Sequence, residues 1–190
     1  MVTLGRGTRA ASLPLSPAEL ARHGVEVYEV ERGGDVTWHG PGQLVGYPIL
    51  DLRRHRPDVH WYLRQLEAAL IAALDRLGIS AERNPGLTGV WTSGRKIASI
   101  GIHVKRWVTL HGFALNVTGN LAGFELIVPC GIPGVVMTSI ARERGASIEP
   151  AALWADTRRT VVEELGRVFD RRPVVSALGP DGTLAVAATL

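Results

Sequence analysis

The chain has 190 residues, 46% of them hydrophobic, and a formal net charge of +3. This length predicts one compact domain, because domains commonly hold roughly 100 to 200 residues. The single cysteine, Cys130, excludes an internal disulfide and a four-cysteine zinc cluster, and it favours a reducing, intracellular compartment. The small net charge does not indicate a nucleic-acid partner, although it suits docking to an acidic protein.

No apolar run approaches the roughly 20 residues needed to cross a bilayer, and the start of the chain lacks the hydrophobic region of a signal peptide. The first 18 residues carry Arg6 and Arg9 and no acidic residue, as mitochondrial transit peptides do. However, Pro14 and Pro17 disfavour the amphipathic helix of such a peptide. We therefore expect no membrane partner and a cytoplasmic location.

A short helix is predicted over residues 16–24. Ser16 supplies the N-cap, Pro17 suits the first helical position, and Glu19 completes a capping box. Gly24 is a typical residue for the end of a helix. The chain should therefore enter its first strand directly after this turn of helix.

Two predicted strands flank a glycine-rich segment. Residues 25–30 are rich in β-branched side chains, and residues 44–52 form a second strand-like run. Residues 32–43 between them hold four glycines and a proline. The backbone of this segment is therefore expected to be irregular.

The clearest helical pattern covers residues 58–77. Asp58 is the predicted N-cap, and Gly78 follows the end of the helix. Apolar side chains recur at three- and four-residue intervals, which places them on one buried face. They are Val59, Tyr62, Leu63, Leu66, Leu70, Leu74 and Leu77. This face predicts core packing and no chemistry.

Three strands are predicted over residues 89–92, 96–105 and 108–117, followed by a loop over residues 128–134. A second long helix is expected over residues 150–169. Its inner side should carry Leu153, Thr157, Val161, Leu165 and Val168. The pattern predicts an α/β (α+β) domain over residues 1–190, with a mixed or antiparallel sheet flanked by helices.

The chain after Pro173 is rich in alanine and valine around a turn at residues 179–182. It could form a small hairpin or a frayed, flexible end over residues 173–190. The residues leave both possibilities open.

The glycine-rich segment is a candidate ligand site. Its glycines let the backbone approach a ligand, while Arg32, Asp35, Thr37, His39 and Gln43 offer donors and acceptors. An ordinary glycine-rich loop with surface polar residues fits equally well. The spacing of a phosphate-binding loop is absent.

Cys130 is the second candidate, because a thiol becomes nucleophilic when a nearby cation or base stabilises its thiolate. The candidate activators are His39, His103, His111 and Lys96. Lys96 is one of only two lysines among 21 basic residues, and a lysine can act as a base where an arginine cannot. A buried, inert cysteine and a surface lysine remain alternatives. No paired histidines or cysteines indicate a metal site.

Three segments, residues 32–52, 89–117 and 128–132, resemble the octanoyltransferases of lipoate biosynthesis, the lipoate-protein ligase B family. They read RGGDVTWHGPGQLVGYPILDL, GVWTSGRKIASIGIHVKRWVTLHGFALNV and VPCGI. The resemblance spans about residues 1–140, and it implies the fold shared by biotin and lipoate ligases and transferases. Family members begin with a helix and a strand before the segment that is Thr3 to Arg6 here, so the resemblance implies that the chain lacks these two elements.

The resemblance implies a two-step acyl transfer. Cys130 would accept the octanoyl group from octanoyl-acyl carrier protein as a thioester, and Lys96 would stabilise the thiolate and act as general base. The acceptor would be a lysine of an apo lipoyl domain of a 2-oxoacid dehydrogenase or of the glycine cleavage H protein. Neither ATP nor a metal is required, because a thioester is already activated.

The family's substrate-binding positions carry over to three short segments. They are Arg32, Gly33, Gly34, Asp35, Val36, Thr37, Trp38 and His39, then Ser99, Ile100 and Gly101, and finally Gly112, Phe113 and Ala114. Two rival functions remain: an ATP-dependent lipoate or biotin ligase on the same fold, and a non-catalytic binding module with a structural Cys130.

Overall fold

The computed structural model describes residues 1–145, 149–178 and 184–189. The helices are α1 (Pro17–Arg22), α2 (Val59–Arg76), α3 (Ile140–Arg144) and α4 (Pro150–Val168). The strands are β1 (Val2–Leu4), β2 (Val27–Glu29), β3 (Thr37–Trp38), β4 (Gln43–Gly46), β5 (Val90–Thr92), β6 (Arg95–Lys105), β7 (Val108–Asn116), β8 (Arg172–Leu178) and β9 (Leu184–Thr189). Four short 3₁₀ helices are described at Ala10–Ser12, Leu52–Arg54, Ala122–Leu126 and Pro129–Gly131.

The strands form three sheets. The largest has the order β4-β7-β6-β5 and is antiparallel throughout. A smaller sheet has the order β2-β1-β3, in which β1 pairs with β2 in parallel and with β3 antiparallel. β8 and β9 pair as an antiparallel hairpin, one of the two forms considered for the tail. The predicted class, mixed and antiparallel sheet flanked by helices, is confirmed.

The helix starts follow the predicted capping chemistry. Ser16 and Glu19 form both halves of a capping box before α1, with Pro17 at the first helical position. The Asp58 carboxylate accepts a hydrogen bond from the Trp61 N–H at 3.0 Å and so caps α2. Each cap satisfies backbone donors that the first turn of a helix leaves free.

The main core lies between the four-stranded sheet and the two long helices. Leu70 and Leu74 of α2 and Leu153 of α4 are buried in one cluster with Ile97 of β6 and Leu115 of β7. The predicted inner face of α2 is buried from Tyr62 to Leu77, apart from Leu63, which is half-buried. Val59 is 36% exposed, so its assignment to that face is wrong. It occupies the first helical position, where the helix has only begun.

The prediction of one strand over residues 44–52 is wrong beyond Gly46. β4 ends at Gly46, because Pro48 lacks the N–H that would continue the ladder. The chain still follows β7, and Asp51 pairs with Val108 in an isolated bridge. β1 and α3 have too few residues to show a periodic pattern, and neither was predicted.

The two central strands present different side chains to the two faces of the sheet. Ser99 lies opposite Ala114, and Gly101 lies opposite Gly112, so small residues share one face. Ile102 faces the opposite way, into a cluster with α2. The small-residue face lacks bulky side chains at its centre, and this leaves room for a cleft.

Candidate active site

Cys130 lies in a tight turn that holds its thiol at the edge of the cleft. The turn is the 3₁₀ helix Pro129–Gly131, and Cys130 itself has a φ of 57°. A left-handed conformation costs a residue with a side chain roughly 1–2 kcal/mol. The Cys130 N–H compensates by donating to the Val36 carbonyl at 2.9 Å. The glycine-rich segment therefore anchors the backbone of the cysteine.

The residue after the cysteine has to be glycine. Gly131 has a φ of 65°, and a Cβ there would overlap with the Asp35 carboxylate and the Arg9 guanidinium. Arg9 also donates to the Gly131 carbonyl at 2.7 Å. These contacts pack the cysteine turn against the glycine-rich segment.

Lys96 lies beside the thiol although it is only 1% exposed. Its Nζ is 3.3 Å from the Cys130 Sγ and 3.0 Å from the Thr88 carbonyl oxygen. The ammonium also lies 4.6 Å from the centre of the Trp91 ring, in the range of a cation–π contact. A cation at hydrogen-bonding distance from sulfur favours the thiolate, which is the nucleophilic form.

The backbone explains how residues 34 positions apart meet. The Lys96 N–H donates to the Val136 carbonyl at 2.8 Å, and the Thr138 N–H donates to the Lys96 carbonyl at 2.9 Å. These bonds attach the segment that follows the cysteine turn to the beginning of β6. The Ser99 Oγ, further along β6, lies 3.6 Å from the Cys130 Sγ.

Arg32 and Asp35 organise the glycine-rich segment. The buried Arg32 guanidinium donates to the Asp35 carbonyl at 2.7 Å and to the carbonyl and hydroxyl of Thr3 at 2.8 and 2.9 Å. Burial lowers the pKa of Arg32 from its ordinary value. Burial by itself would raise the pKa of Asp35. Hydrogen bonds from Ser12, the Val36 N–H and Arg9 together outweigh burial and lower this pKa. Both side chains hold the loop in shape and line the cleft.

His39 closes one wall of the cleft through a neutral imidazole. Its Nδ1 lies 2.7 Å from the Gln43 Oε1, and its Nε2 lies 3.2 Å from the Thr3 hydroxyl. Because Gln43 accepts, Nδ1 carries the proton and Nε2 accepts from Thr3. Burial lowers the pKa of His39, which keeps the ring uncharged at neutral pH.

The other two candidate histidines lie apart from the thiol. His111 lines the cleft, and burial, with charge from Arg32 and His103, lowers its pKa. His103 lies further along β6 and does not line the cleft. Among the side chains that the structure describes, only those of Lys96 and Ser99 hydrogen-bond to the Cys130 sulfur. Of the four candidate activators, the geometry therefore favours Lys96.

The cleft has a volume of about 280 Å³. The predicted site residues that line it are Arg32, Gly34, Asp35, Thr37, His39, Lys96, Ser99, Ile100, Gly101, Gly112, Phe113, Ala114 and Cys130. Three predicted residues lie outside its lining. Gly33 donates its N–H to the Ile102 carbonyl, Val36 is buried in a separate cluster, and Trp38 packs edge-on against Phe124.

Eight further residues that the sequence did not single out complete the lining. They are Thr3, Val30, Val45, Tyr47, Gly86, Leu87, Thr88 and Ile132. Val45 and Tyr47 could have been predicted, because they lie two residues apart in the strand-like run next to the glycine-rich segment and so share one face of it. Thr88 carries no such signal, because its contribution is a backbone carbonyl.

Within residues 1–145, 149–178 and 184–189, no group of three His, Cys, Asp or Glu side chains is placed to hold a metal ion. None of the helices in these same ranges combines the length and apolar character that a membrane span requires.

Comparison with known proteins identifies the family. The model of the lipoyl protein ligase A/B catalytic domain matches residues 1–163. The chain is 62% identical to an octanoyltransferase of Synechococcus elongatus, over 68% of this chain and 54% of that protein. It is 51% identical to an octanoyltransferase of Gloeobacter violaceus, over 80% of this chain and 75% of that protein. The match thus spans about half the length of the first relative.

Solved structures show the same fold at low sequence identity. Lipoate-protein ligase A bound with ATP matches with a TM-score of 0.66 and 13% identity, over 89% of this chain and 68% of the other. A putative lipoate protein ligase from T. acidophilum with bound lipoic acid matches with a TM-score of 0.67 and 14% identity, over the same shares. The motif resemblance and the predicted fold are both confirmed: the chain belongs to the lipoyl protein ligase A/B catalytic-domain family. The relatives named above are octanoyltransferases.

Proposed function

We propose that the protein transfers an octanoyl group from octanoyl-acyl carrier protein to a lysine ε-amine of an apo lipoyl domain, through a thioester on Cys130. The observation that carries this proposal is the 3.3 Å separation of the Lys96 Nζ from the Cys130 Sγ at the wall of a narrow cleft. The names of the relatives support the octanoyl group as the cargo.

In the first step, the Cys130 thiolate attacks the carbonyl carbon of the donor thioester. The tetrahedral intermediate collapses, the bond to the donor sulfur breaks, and the acyl group stays on Cys130. The departing donor thiolate takes a proton from the Lys96 ammonium. Lys96 is then a neutral amine held at hydrogen-bonding distance from the new thioester.

In the second step, the lysine amine of the acceptor attacks the acyl-enzyme carbonyl. Neutral Lys96 takes the proton that the nitrogen releases, the amide forms, and the Cys130 thiolate leaves. The ion pair of the resting state is restored, so one lysine serves both half-reactions. An arginine could not perform this cycle, because it does not give up its proton.

The lining of the cleft suits a short saturated chain. Val45, Leu87 and Ala114 offer apolar surface, while Gly101 and Gly112 leave space above the sheet. Burying each methylene of an acyl chain is worth about 0.8 kcal/mol. The polar groups of the cleft, above all Lys96 and Ser99, lie close to Cys130, where the thioester would react.

We further propose that the acceptors are the lipoyl domains of 2-oxoacid dehydrogenases and the glycine cleavage H protein, and that the reaction begins lipoate synthesis in the cytoplasm. The proposed reaction uses neither ATP nor a metal, because its acyl donor is already a thioester. Cys130 favours this reading over an ATP-dependent ligase, which activates its acid as an adenylate and uses no thiol.

Intact-protein mass spectrometry tests the proposal. After mixing with octanoyl-acyl carrier protein and no ATP, we expect a single octanoyl adduct on the wild-type protein and none on Cys130→Ser. Adding an apo lipoyl domain should discharge the adduct and octanoylate the domain. An adduct that persists in Cys130→Ser, or transfer that requires ATP, would contradict the mechanism.

A further inference from the structure

A buried carboxylate lies behind the Lys96–Cys130 pair. Glu67, on α2, is fully buried. Its Oε2 accepts hydrogen bonds from Arg64 at 2.6 Å and from Arg83 at 2.9 Å. A buried charge is tolerated only when it is paired, and the two half-exposed guanidinium groups provide that pairing.

The second oxygen of Glu67 has a different partner. Its Oε1 accepts the Gly89 N–H at 3.2 Å. That N–H belongs to the same peptide group as the Thr88 carbonyl, which accepts from the Lys96 Nζ at 3.0 Å. A carboxylate therefore binds the N–H end of one peptide group, and an ammonium binds its C=O end. Both charges favour the same orientation of the peptide dipole, so each contact strengthens the other.

Gly89 makes this close approach possible. Its φ of 129° lies outside the range of residues with side chains. A Cβ there would lie 2.6 Å from the Ala98 carbonyl oxygen and 2.9 Å from the Lys96 Cε. The same glycine makes the peptide easy to rotate, and a rotated peptide would turn its N–H toward the ammonium. Some group has to hold the peptide in the productive orientation.

We infer that Glu67 is a positioning residue for the reaction: it fixes the Thr88–Gly89 peptide so that the Thr88 carbonyl holds the Lys96 Nζ against the Cys130 Sγ. The inference rests on the proposed function only in taking Lys96 and Cys130 as the reacting pair. Glu67 itself touches neither the sulfur nor the cleft.

Glu164 on α4 provides a matched control within the chain. It is also a buried glutamate paired with two arginines, since its Oε1 accepts from Arg76 at 3.0 Å and its Oε2 accepts from Arg167 at 2.7 Å. Neither of its oxygens hydrogen-bonds to the Thr88–Gly89 peptide. Replacing Glu164 therefore removes a similar ion-pair cluster without affecting the peptide.

The test measures how fast iodoacetamide alkylates Cys130 between pH 5 and pH 10. Cys130 is the only cysteine in the chain, so the label reports on this thiol alone. In Glu67→Met the peptide loses its anchor, and we expect the midpoint pH of alkylation to rise by about 1 unit as Lys96 stabilises the thiolate less well. Glu67→Gln retains an oxygen acceptor for the Gly89 N–H, so its midpoint pH should lie close to that of the wild-type protein.

The direction of the shift separates positioning from plain electrostatics. Removing a negative charge, and leaving Arg64 and Arg83 without their partner, would by itself favour the thiolate and lower the midpoint. Arg9, Arg32 and Asp35, the other charged groups near the cysteine turn, are unchanged in every variant. A midpoint that falls or stays at the wild-type value in Glu67→Met, or one that rises equally in Glu164→Met, overturns the inference.

Replacing a buried ion pair with an apolar side chain of similar volume is often tolerated, so Glu67→Met is expected to fold. If circular dichroism shows that it does not, Arg83→Lys keeps the positive charge but shortens the side chain that anchors the carboxylate at a half-exposed position. It should give a smaller rise of the same sign, and an unchanged midpoint there overturns the inference. Alkylation needs no acyl donor, so a failure of octanoyl transfer remains distinguishable from a failure of this inference.

Discussion

The two faces of the four-stranded sheet perform separate tasks. The face covered by α2 and α4 is closed by side chains such as Leu70, Leu74 and Leu115, which are fully buried. The face toward the cleft presents Gly101, Gly112 and other small residues, and it leaves about 280 Å³ open. The same two central strands supply both faces, because successive side chains of a strand point in opposite directions.

This separation shows how the protein holds a buried ammonium without weakening its core. Lys96 enters the cleft side, where Thr88, Cys130 and Trp91 surround it. The helix side carries the apolar cluster and, behind the Thr88–Gly89 peptide, the Glu67 carboxylate, which is paired with two arginines. Substitutions on one face should therefore change stability, and substitutions on the other should change transfer.

The largest effect is expected for Lys96→Met. If Lys96 is the proton carrier proposed above, its loss should lower the rate of octanoyl transfer by about 10²- to 10⁴-fold, because general acid–base catalysis contributes about that much. The folded fraction should stay at the wild-type level, since the substitution also removes a buried charge. Single-turnover transfer and thermal unfolding measure the two quantities. Lys105→Met, at an exposed lysine of the same strand, is the control. An equal loss of rate there would contradict the specific role of Lys96 in the cleft.

Leu70→Ala tests the opposite face. Truncating this fully buried leucine should lower the free energy of unfolding by about 2–5 kcal/mol, as other buried leucines do. The transfer rate per folded molecule should remain close to wild type. Urea denaturation gives the stability, and Val59→Ala, at the exposed start of the same helix, should cost less than about 0.5 kcal/mol. A loss of transfer in folded Leu70→Ala would show that the two faces are coupled.

The smallest effect concerns the length of the acyl chain. If the cleft buries the whole octanoyl chain, shortening the donor by one methylene should lower kcat/KM about fourfold, which corresponds to about 0.8 kcal/mol. Hexanoyl-, heptanoyl- and octanoyl-carrier proteins compared at equal concentration provide the measurement. Equal values for all three would place the chain outside the cleft.

The long helices and the central hairpin could be predicted from the sequence, because their patterns are local. Ser16 and Asp58 each cap the helix that begins at the next residue, and the apolar period of α2 repeats within that helix alone. Strand β4 was predicted too long, since the effect of Pro48 depends on whether a neighbouring strand needs its missing N–H. β1 and β3 are so short that they become strands only by pairing with neighbouring strands.

Some residues of the site could be predicted from the sequence, and others could not. Cys130 and Lys96 stand out in the sequence as rare residues in a motif, and the structure places them in contact. His111 shows what local reasoning misses. Alternation would place it on the helix side of β7, but its φ of 59° breaks the alternation and its ring lines the cleft beside Tyr47. Backbone strain of this kind depends on the surrounding packing.

The sequence by itself determined the family, the fold class, the buried faces of the helices and the identity of the cysteine and lysine, because each of these is carried by residue type and spacing. Only the tertiary structure decided which groups surround that pair. Glu67 reads in the sequence as one polar position on a helix, and Thr88 and Gly89 read as part of a loop. Their link to Lys96 runs through a single peptide group, and the hydrogen bonds of a backbone group are set by the fold and not by its side chain.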